Sequence, residues 1–437
     1  MRRPLLLLAL LSLVAVPSLR AEDNNPPAGF RALFNGKDFT NWHGMGHFDP
    51  YKLAEMSDED RAKKRETDLE DLNKHWKVEG GELINDGTGV YLTTNESLGD
   101  VELFVDYRMF AKGDSGIYLR GSPQVQIWDF TDETKWKLGA DKGSGGLWNN
   151  TAGNPGKDPL VLADKPLGEW NTFRIVQVGA RTSVWLNGKL VVDHAILENY
   201  WDKERKKPLL ARAPVQLQTH GSEIRWKNIY VREIPPAEAN ELLASKTPDG
   251  FESIFNGKDF TGWQGAVDNY EVVDGAVRCK QGKGGVLYTN DQFADFVARL
   301  EFKVPVGGNN GLAIRYPGKG DPAYTGMCEL QVLDDNSPKY AKLDPRQYHA
   351  SAYGMAPVYR GGYQRPAGEW NFQEVTVKGP TIKVELNGNV VLNTDLSKIT
   401  EYLANSPHPG KELPSGFFGF AGHGSDVEFR NVKIKKL

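Results

Sequence analysis

The chain has 437 residues, 39% of them hydrophobic, which is more than one core usually serves, so two domains are expected. Its formal net charge of -4, without a basic patch, gives no electrostatic basis for binding nucleic acid. Its 47 glycines and 25 prolines, beside 11% aromatic residues, indicate turns that join strands and predict an all-β protein.

Residues 1–21 have the composition of a secretory signal peptide. Arg2 and Arg3 precede an apolar run over residues 5–16, and a short polar stretch follows. The segment is too short to span a bilayer, and signal peptides are removed from the mature protein. The sequence therefore predicts an exported protein, periplasmic or extracellular, with no membrane span after signal cleavage.

The remaining chain is a duplicated domain. Residues 33–44, LFNGKDFTNWHG, match residues 254–265, IFNGKDFTGWQG. Further matched pairs, including two GEWN strand starts and two LNG hairpin tips, follow in the same order in both halves. A repeat of roughly two hundred residues is a domain rather than a solenoid unit. The predicted domains are residues 28–234 and 250–437, joined by a linker at 235–249.

Two segments interrupt this pattern with helix-forming residues. The linker contains a stretch, Ala237 to Ser245, that predicts a short helix. The first copy also carries an insertion, Asp49 to Lys74, rich in charged residues and long enough for one or two helices over the sheet edge. A solvated helix without a role in function is the alternative for the insertion.

Only two cysteines occur, Cys279 and Cys328, and both lie in the second half of the chain. An exported protein can form a disulfide between them, while their strand-like surroundings are equally compatible with buried free thiols.

Many short strands linked by hairpins within each unit predict a two-sheet sandwich or jelly roll. Side chains alternate across each strand, so one face packs on a core and the other is available to a ligand. In the first copy, the predicted polar face carries Tyr118, Arg120, Gln124, Gln126, Trp128, Gln216, Gln218 and His220. In the second copy, the matching positions are Arg315, Glu329, Gln331 and His423.

The motifs DSGIYLRG, QVQIWD or LQVLD, GEWN, LNG and HGS followed by RWKNIYV or FRNVKI cover most of both copies. With these motifs the chain resembles the 3-keto-disaccharide hydrolase domain family of exported bacterial proteins. The resemblance implies two tandem concanavalin A-like jelly-roll domains located outside the cytoplasm. It also implies a carbohydrate substrate, a glycoside whose sugar has been oxidised to a ketone at C3.

A ketone at C3 makes the hydrogen on C2 acidic, so elimination of the C1 oxygen followed by hydration gives net hydrolysis. This route needs a base, a cation or metal to stabilise the enolate, and an acid for the leaving group. His220 and His423 are the predicted bases, with Arg120 and Arg315 holding the enolate or ketone oxygen. Direct hydrolysis through two carboxyl groups is the alternative, and Glu329 makes the second copy the better candidate for it.

Other residues have two interpretations each. Asp129 and Asp334 end matched strands and either cap turns or bind a divalent cation such as calcium. Four aromatic residues either stack on sugar rings or pack in the core: Trp42, Trp128, Trp148 and Tyr353. The sequence contains no zinc-ligand spacing, no phosphate loop and no GxSxG motif.

Three functions fit these patterns. The chain is an enzyme acting on 3-keto-glycosides, a pair of non-catalytic carbohydrate-binding modules, or one catalytic and one binding copy. The third option follows from Gln124, which stands in the first copy where the second has Glu329. The sequence sets no oligomeric state.

Overall fold

The computed structural model describes residues 23–437, so the predicted signal peptide at 1–21 lies outside the described residues. The helices within residues 23–437 all lack the length or the apolar character that a bilayer crossing requires.

The first half of the described chain contains thirteen strands. In chain order they are β1 (Arg31–Ala32), β2 (Trp42–Met45), β3 (Trp76–Glu79), β4 (Glu82–Asn85), β5 (Tyr91–Thr94), β6 (Val101–Met109), β7 (Asp114–Leu119), β8 (Ser122–Trp128), β9 (Asn171–Val178), β10 (Arg181–Leu186), β11 (Lys189–Ile196), β12 (Gln216–Leu217) and β13 (Ile224–Glu233).

The second half repeats this construction. Its strands are β14 (Glu252–Ser253), β15 (Trp263–Gly265), β16 (Tyr270–Val273), β17 (Ala276–Cys279), β18 (Gly284–Phe293), β19 (Phe296–Lys303), β20 (Asn309–Tyr316), β21 (Cys328–Leu333), β22 (Trp370–Lys378), β23 (Thr381–Leu386), β24 (Asn389–Asp395), β25 (Gly416–His423) and β26 (Glu428–Lys436).

The helices lie between the strands, and all except α2 are short. The α-helices are α1 (Pro50–Glu55), α2 (Asp58–His75), α3 (Pro236–Ser245) and α4 (Pro322–Thr325). Single turns of 3-10 helix occur at Glu133–Leu138, Ala140–Lys142, Val267–Asn269, Pro338–Tyr340, Pro345–Gln347, Leu396–Lys398 and Leu403–Asn405.

The described strands form four antiparallel sheets, two in each half. In the first half, one sheet has the order β11-β10-β9-β6-β13-β4-β3 with β1 beside β13, and the other has the order β2-β5-β12-β7-β8. The second half has the equivalent orders β24-β23-β22-β19-β26-β17-β16, with β14 beside β26, and β15-β18-β25-β20-β21. The prediction of two tandem jelly-roll sandwiches is confirmed.

Each sandwich encloses its own hydrophobic core. Trp226, Tyr107 and Phe173 are buried in the first core, and Phe302 and Phe429 are buried in the second. Separate cores are what define two domains within one chain. The five-stranded sheet of each domain packs one face on this core and leaves the other face free to form a site.

The insertion forms the two helices α1 and α2. Ser57 caps the N-terminus of α2 by accepting a hydrogen bond from the backbone of Asp60. The helix then lies along the edge strand β2, where Leu72 is buried. Gly44 makes this close approach possible, since a Cβ there would lie 2.6 Å from the carbonyl oxygen of Asp68. The insertion therefore covers an edge of the five-stranded sheet, as predicted.

The two cysteines are free and buried. Cys279 lies at the end of β17 and Cys328 at the start of β21, on different sheets of the second sandwich. The disulfide considered from the sequence is therefore not formed, and both thiols belong to the hydrophobic core.

The domains meet around helix α3 and a buried carboxylate. The side chains of Val178, Leu243 and Phe372 pack together between the two sandwiches. The Glu385 carboxylate there lies 2.9 Å from Lys383 Nζ and 3.3 Å from Lys246 Nζ, and it also accepts hydrogen bonds from a guanidinium of the first domain, Arg181.

Burial alone would raise the pKa of Glu385, but the charges of Lys246, Arg181 and Lys383 outweigh it and hold that pKa well below its usual range. We expect Glu385→Gln to lower the free energy of unfolding by about 3 kcal/mol at neutral pH, since the buried cations lose their shared partner. The contribution of the carboxylate is complete above the unfolded pKa of about 4.3 and declines as the pH falls toward the folded value. Urea unfolding of the unchanged protein and of the Glu385→Gln variant, at neutral pH and at about pH 3, measures the difference in their free energies of unfolding.

The matched control is Glu233→Gln, which removes a half-exposed ion pair with Arg212. That change is expected to cost less than about 1 kcal/mol. Equal losses in the two variants, or a loss for Glu385→Gln that is independent of pH, would contradict the assignment.

Candidate functional site

The face of the first domain's five-stranded sheet that points away from the core forms a cleft of about 370 Å³. Alternation along β7 and β8 creates it, because Ile117, Leu119 and Val125 are fully buried in the core while their neighbours point the other way. The cleft is lined by His47, Tyr91, Asp114, Tyr118, Pro123, Gln124, Gln126, Trp128, Leu138, Trp148, Asn149, Tyr200, Gln218 and His220.

A histidine and a carboxylate are paired in this cleft. His220 Nδ1 lies 3.0 Å from Asp114 Oδ2, and the other imidazole nitrogen has no partner among the described residues. Asp114 is held in turn by Lys135 Nζ at 3.0 Å and by Gln126 Nε2 at 2.9 Å. Since these two groups hold the carboxylate, it fixes the orientation of an imidazole whose side chain is 61% exposed.

Aromatic rings form the walls of the cleft. The rings of Trp128 and Trp148 are nearly perpendicular, with centroids 5.8 Å apart, and Tyr91 and Tyr118 meet edge to face at 5.4 Å. His47 Nδ1 lies 2.9 Å from the Tyr118 hydroxyl. Rings of this kind suit the apolar faces of sugars while their polar atoms remain available for hydrogen bonds.

Burial sets the protonation of two of these groups. It raises the pKa of Tyr118 far above its ordinary value, with the neighbouring Tyr91 hydroxyl acting in the same direction, so the phenol keeps its proton at neutral pH. Burial also lowers the pKa of His47, so that imidazole is neutral there. The pair therefore presents a hydroxyl donor beside a neutral imidazole.

Gln218 contributes an unused acceptor to the same cleft. Its side chain is mostly buried, and its Oε1 atom has no hydrogen-bond partner among the described residues. Buried polar atoms normally find partners, so an unpaired acceptor in a cleft suits a ligand hydroxyl. Gln216, which was predicted beside it, instead donates to Thr93 Oγ1 at 3.0 Å and does not line the cleft.

The second domain has a histidine and carboxylate pair on the equivalent sheet. His423 Nε2 lies 3.1 Å from Glu329 Oε1, and the Glu329 side chain is only 4% exposed. It lies directly over Gly311, where a Cβ would come within 2.0 Å of Oε1. Burial raises the pKa of Glu329, and the hydrogen bond to that carboxylate raises the pKa of His423.

The carboxylate comes from a different strand in each domain. The sheet registers place Asn309 where the first domain has Asp114, and Gln124 where the second has Glu329. Gln331 donates to Asn309 Oδ1 at 2.7 Å, as Gln126 does to Asp114. Each domain therefore keeps one acid next to its histidine.

Smaller side chains line the rest of this sheet face in the second domain. The positions of Tyr91, Tyr118, Gln216 and Gln218 are occupied there by Val286, Ala313, Gly419 and Ala421. Tyr353 lies close by and accepts a hydrogen bond from Gln347 at 3.0 Å. The aromatic walls of the first cleft thus have no counterpart at these four positions.

The predicted arginines are not part of either site. Arg120 has a left-handed φ of 51°, at a register irregularity near the end of β7. Its guanidinium donates to Asp100 Oδ1 at 2.5 Å, to Gln177 Oε1 at 3.2 Å and to the carbonyl of Ala211. The prediction that Arg120 shares a cavity with His220 is therefore wrong, because strand parity fails at a bulge.

Arg315 repeats this arrangement in the second domain. It has a φ of 46°, and it donates to Asp295 Oδ1 and to the carbonyls of Ala294 and Gly379, each at 2.8 Å. Both guanidinium groups are buried and fully used in tying loops to the sheet. The expectation that they hold a substrate oxygen is corrected to a structural role.

Asp129 and Asp334 cap turns rather than face the histidines. Asp129 accepts from the backbone of Lys112 at 2.7 Å and of Thr131 at 2.9 Å. Asp334 accepts from the backbone of Gly307 at 2.9 Å. Their catalytic assignment is corrected accordingly, and residues 23–437 contain no cluster of three or more His, Cys, Asp or Glu placed to hold a metal ion.

Trp42 is a core residue, since it is buried and its Nε1 donates to the carbonyl of Leu33 at 2.9 Å. Asp114, in contrast, was missed by the sequence analysis, although it lies on the same strand face as Tyr118 and parity could have found it. His47 and Tyr200 reach the cleft from irregular segments, where no periodic pattern points to a site.

We expect Glu329→Gln to lower the pKa of His423 toward about 6.5, because the imidazolium loses its charged acceptor. In the unchanged protein His423 stays protonated to a higher pH. An NMR titration of the histidine ring carbons measures both values. The matched control is Asp334→Asn, which changes only a turn cap and should leave this titration unaltered; identical curves for Glu329→Gln and the unchanged protein would contradict the pairing.

Comparison with known proteins agrees with the repeat structure. The sequence profile of the 3-keto-alpha-glucoside-1,2-lyase-like domain matches residues 29–232 and 250–435. A 3-keto-disaccharide hydrolase of Bacteroides thetaiotaomicron is 30% identical over 249 residues, which cover 48% of this chain and 86% of that protein.

Two solved structures from Parabacteroides distasonis, of proteins proposed to be glycosyl hydrolases, also align with one part of the chain. The first is 28% identical and covers 43% of this chain and 99% of its own, with a TM-score of 0.39. The second is 26% identical and covers 44% and 95%, with a TM-score of 0.37.

Proposed function

Because this chain belongs to the family of 3-keto-alpha-glucoside-1,2-lyase-like domains, we propose that it is an exported enzyme that cleaves 3-keto-glycosides. The observation that carries this proposal is the His220–Asp114 pair inside a cleft walled by aromatic rings. An imidazole next to an aromatic surface that suits a sugar can act as the base that abstracts an acidic C2 hydrogen. Export is supported by the composition of residues 1–21.

The route that fits both a lyase-like family and a relative named a hydrolase is elimination followed by hydration. The base removes the hydrogen from C2, and its bonding electrons form an enolate with the C3 ketone. The enolate then expels the C1 oxygen, which takes up a proton and leaves as an alcohol, so a C1–C2 double bond remains. Water adds its hydroxyl to C1 and a proton to C2, which gives net hydrolysis.

In the first domain, His220 acts as the base through the imidazole nitrogen that Asp114 does not occupy. Asp114 orients the ring and stabilises the imidazolium that forms. Lys135, bound to the same carboxylate, is the cation that the structure brings to this pair, in place of Arg120. Tyr118 keeps its proton at neutral pH, so its hydroxyl offers a hydrogen bond to the leaving oxygen.

The second domain supports the same chemistry with fewer substrate contacts. Glu329 and His423 form the equivalent pair, but residues 313 and 421 are alanines where the first domain has Tyr118 and Gln218. A second candidate function, in which one domain turns over substrate and the other only binds sugar, is favoured by this difference.

We expect His220→Gln to lower kcat/KM on a 3-keto-disaccharide by roughly a hundredfold or more if the first domain is catalytic, since general-base catalysis contributes about 10² to 10⁴. His423→Gln tests the second domain in the same way, and the double variant shows whether the activities add. His43→Gln, on the edge strand β2 outside both pairs, is the matched control. Assays with and without a chelator separate any contribution of a divalent cation.

If neither single variant nor the double variant loses activity, the histidines are not the bases. Full activity loss in His423→Gln with none in His220→Gln assigns turnover to the second domain and sugar binding to the first.

The elimination route makes a second prediction. In heavy water the released 3-keto sugar should carry deuterium at C2, because the proton at that carbon is replaced during hydration. Direct hydrolysis leaves the original hydrogen in place. Mass spectrometry at short reaction times measures the label, and free product incubated alone corrects for spontaneous exchange. A product without deuterium above that background would contradict the elimination route.

A further inference from the structure

A second cavity, of about 600 Å³, lies between the two domains and away from both histidines. A volume of this size is typical of ligand sites. The first domain contributes Arg181, Arg205 and Lys207 to its lining, among others, and the second contributes Tyr359, Lys383 and Asn393.

The lining carries five cationic side chains and one carboxylate. That carboxylate, Glu198, is already engaged by the backbone and hydroxyl of Thr151 at 2.8 and 2.7 Å. Arg181 and Lys383 bind the carboxylate of Glu385 at the domain interface. The remaining cations therefore set the charge that the cavity offers to a ligand.

Those remaining cations lack strong partners. The side chains of Arg205 and Lys207 form no ion pair with any described residue, and Lys206 pairs only with the exposed carboxylate of Glu204. Arg205 Nη1 is shielded from solvent yet has no hydrogen-bond partner among the described residues. A shielded guanidinium donor without an acceptor is costly and suits an anion that supplies one.

The neutral part of the lining suits a sugar. Tyr359 is 39% exposed and offers an aromatic face, and the amide of Asn393 can bind hydroxyl groups. An oxyanion alone would not use these groups. We infer that the cavity between the domains is a second carbohydrate site, which takes a saccharide bearing a sulfate, carboxylate or phosphate group.

One short segment joins this site to the first cleft. Arg205 stacks over the ring of Tyr200 at 5.0 Å, and Tyr200 lines the cleft that contains His220. Tyr51, from the insertion, supports the same segment, because its hydroxyl donates to the carbonyl of Pro208 at 3.0 Å and accepts from Asn199. The anionic saccharide is therefore bound directly behind a wall of the first cleft.

Isothermal titration calorimetry on the whole chain tests this site, with glucose 6-sulfate and glucuronate as probes and glucose and inorganic sulfate as comparisons. We expect both anionic sugars to bind, more tightly than glucose or sulfate, and with an affinity that falls as salt is raised. The double variant Arg205→Gln/Lys207→Gln should weaken binding at least tenfold, whereas Lys203→Gln, an exposed lysine on the same segment, should not.

His220→Gln should bind the anionic sugars as the unchanged protein does, because the site lies outside the first cleft. Loss of binding in that variant would place the sugars in the cleft and overturn the inference. Absence of binding, equal binding of sulfate and sugar sulfate, or unchanged binding in the folded double variant would each overturn it as well. Thermal unfolding confirms that the double variant is folded, and these outcomes are independent of glycoside cleavage.

Discussion

The alternation of side chains along two hairpin strands is the constraint on which both sites depend. Ile117 and Val125 are fixed in the core of the first sandwich, so their neighbours Tyr118, Gln124 and Gln126 must project from the opposite face. A one-residue slip would exchange the two sets and destroy the core and the cleft together. Stability therefore fixes the register, and the register places the polar groups of the cleft.

Alternation also explains how much the sequence could reveal. The duplication follows from repeated motifs and most of the polar face from period-two patterns, and Gln126, Trp128 and His220 lie where parity places them. Arg120 does not, because a left-handed residue at a bulge turns its side chain out of the pattern. His47 reaches the cleft from outside any strand of regular period, so only the folded chain could reveal it.

The two domains place the carboxylate that pairs with the histidine on different strands. Each domain pairs a histidine on its five-stranded sheet with one carboxylate, and that carboxylate comes from a different strand of the hairpin in each domain. The first domain places it at Asp114, where solvent and Lys135 share its charge, and the second places it at Glu329, deeply buried over Gly311. Burial favours the protonated carboxyl, while the imidazolium favours the charged one, and the pKa values of both Glu329 and His423 are raised.

The different strand position of the acid also changes which imidazole nitrogen is left unpaired by the carboxylate. Asp114 engages Nδ1 of His220, whereas Glu329 engages Nε2 of His423, so the nitrogen left for a substrate differs between the domains. The two nitrogens lie on different sides of the ring and are chemically distinct. The two domains share one fold and one pair of residue types, yet they leave different imidazole nitrogens unpaired by the carboxylate.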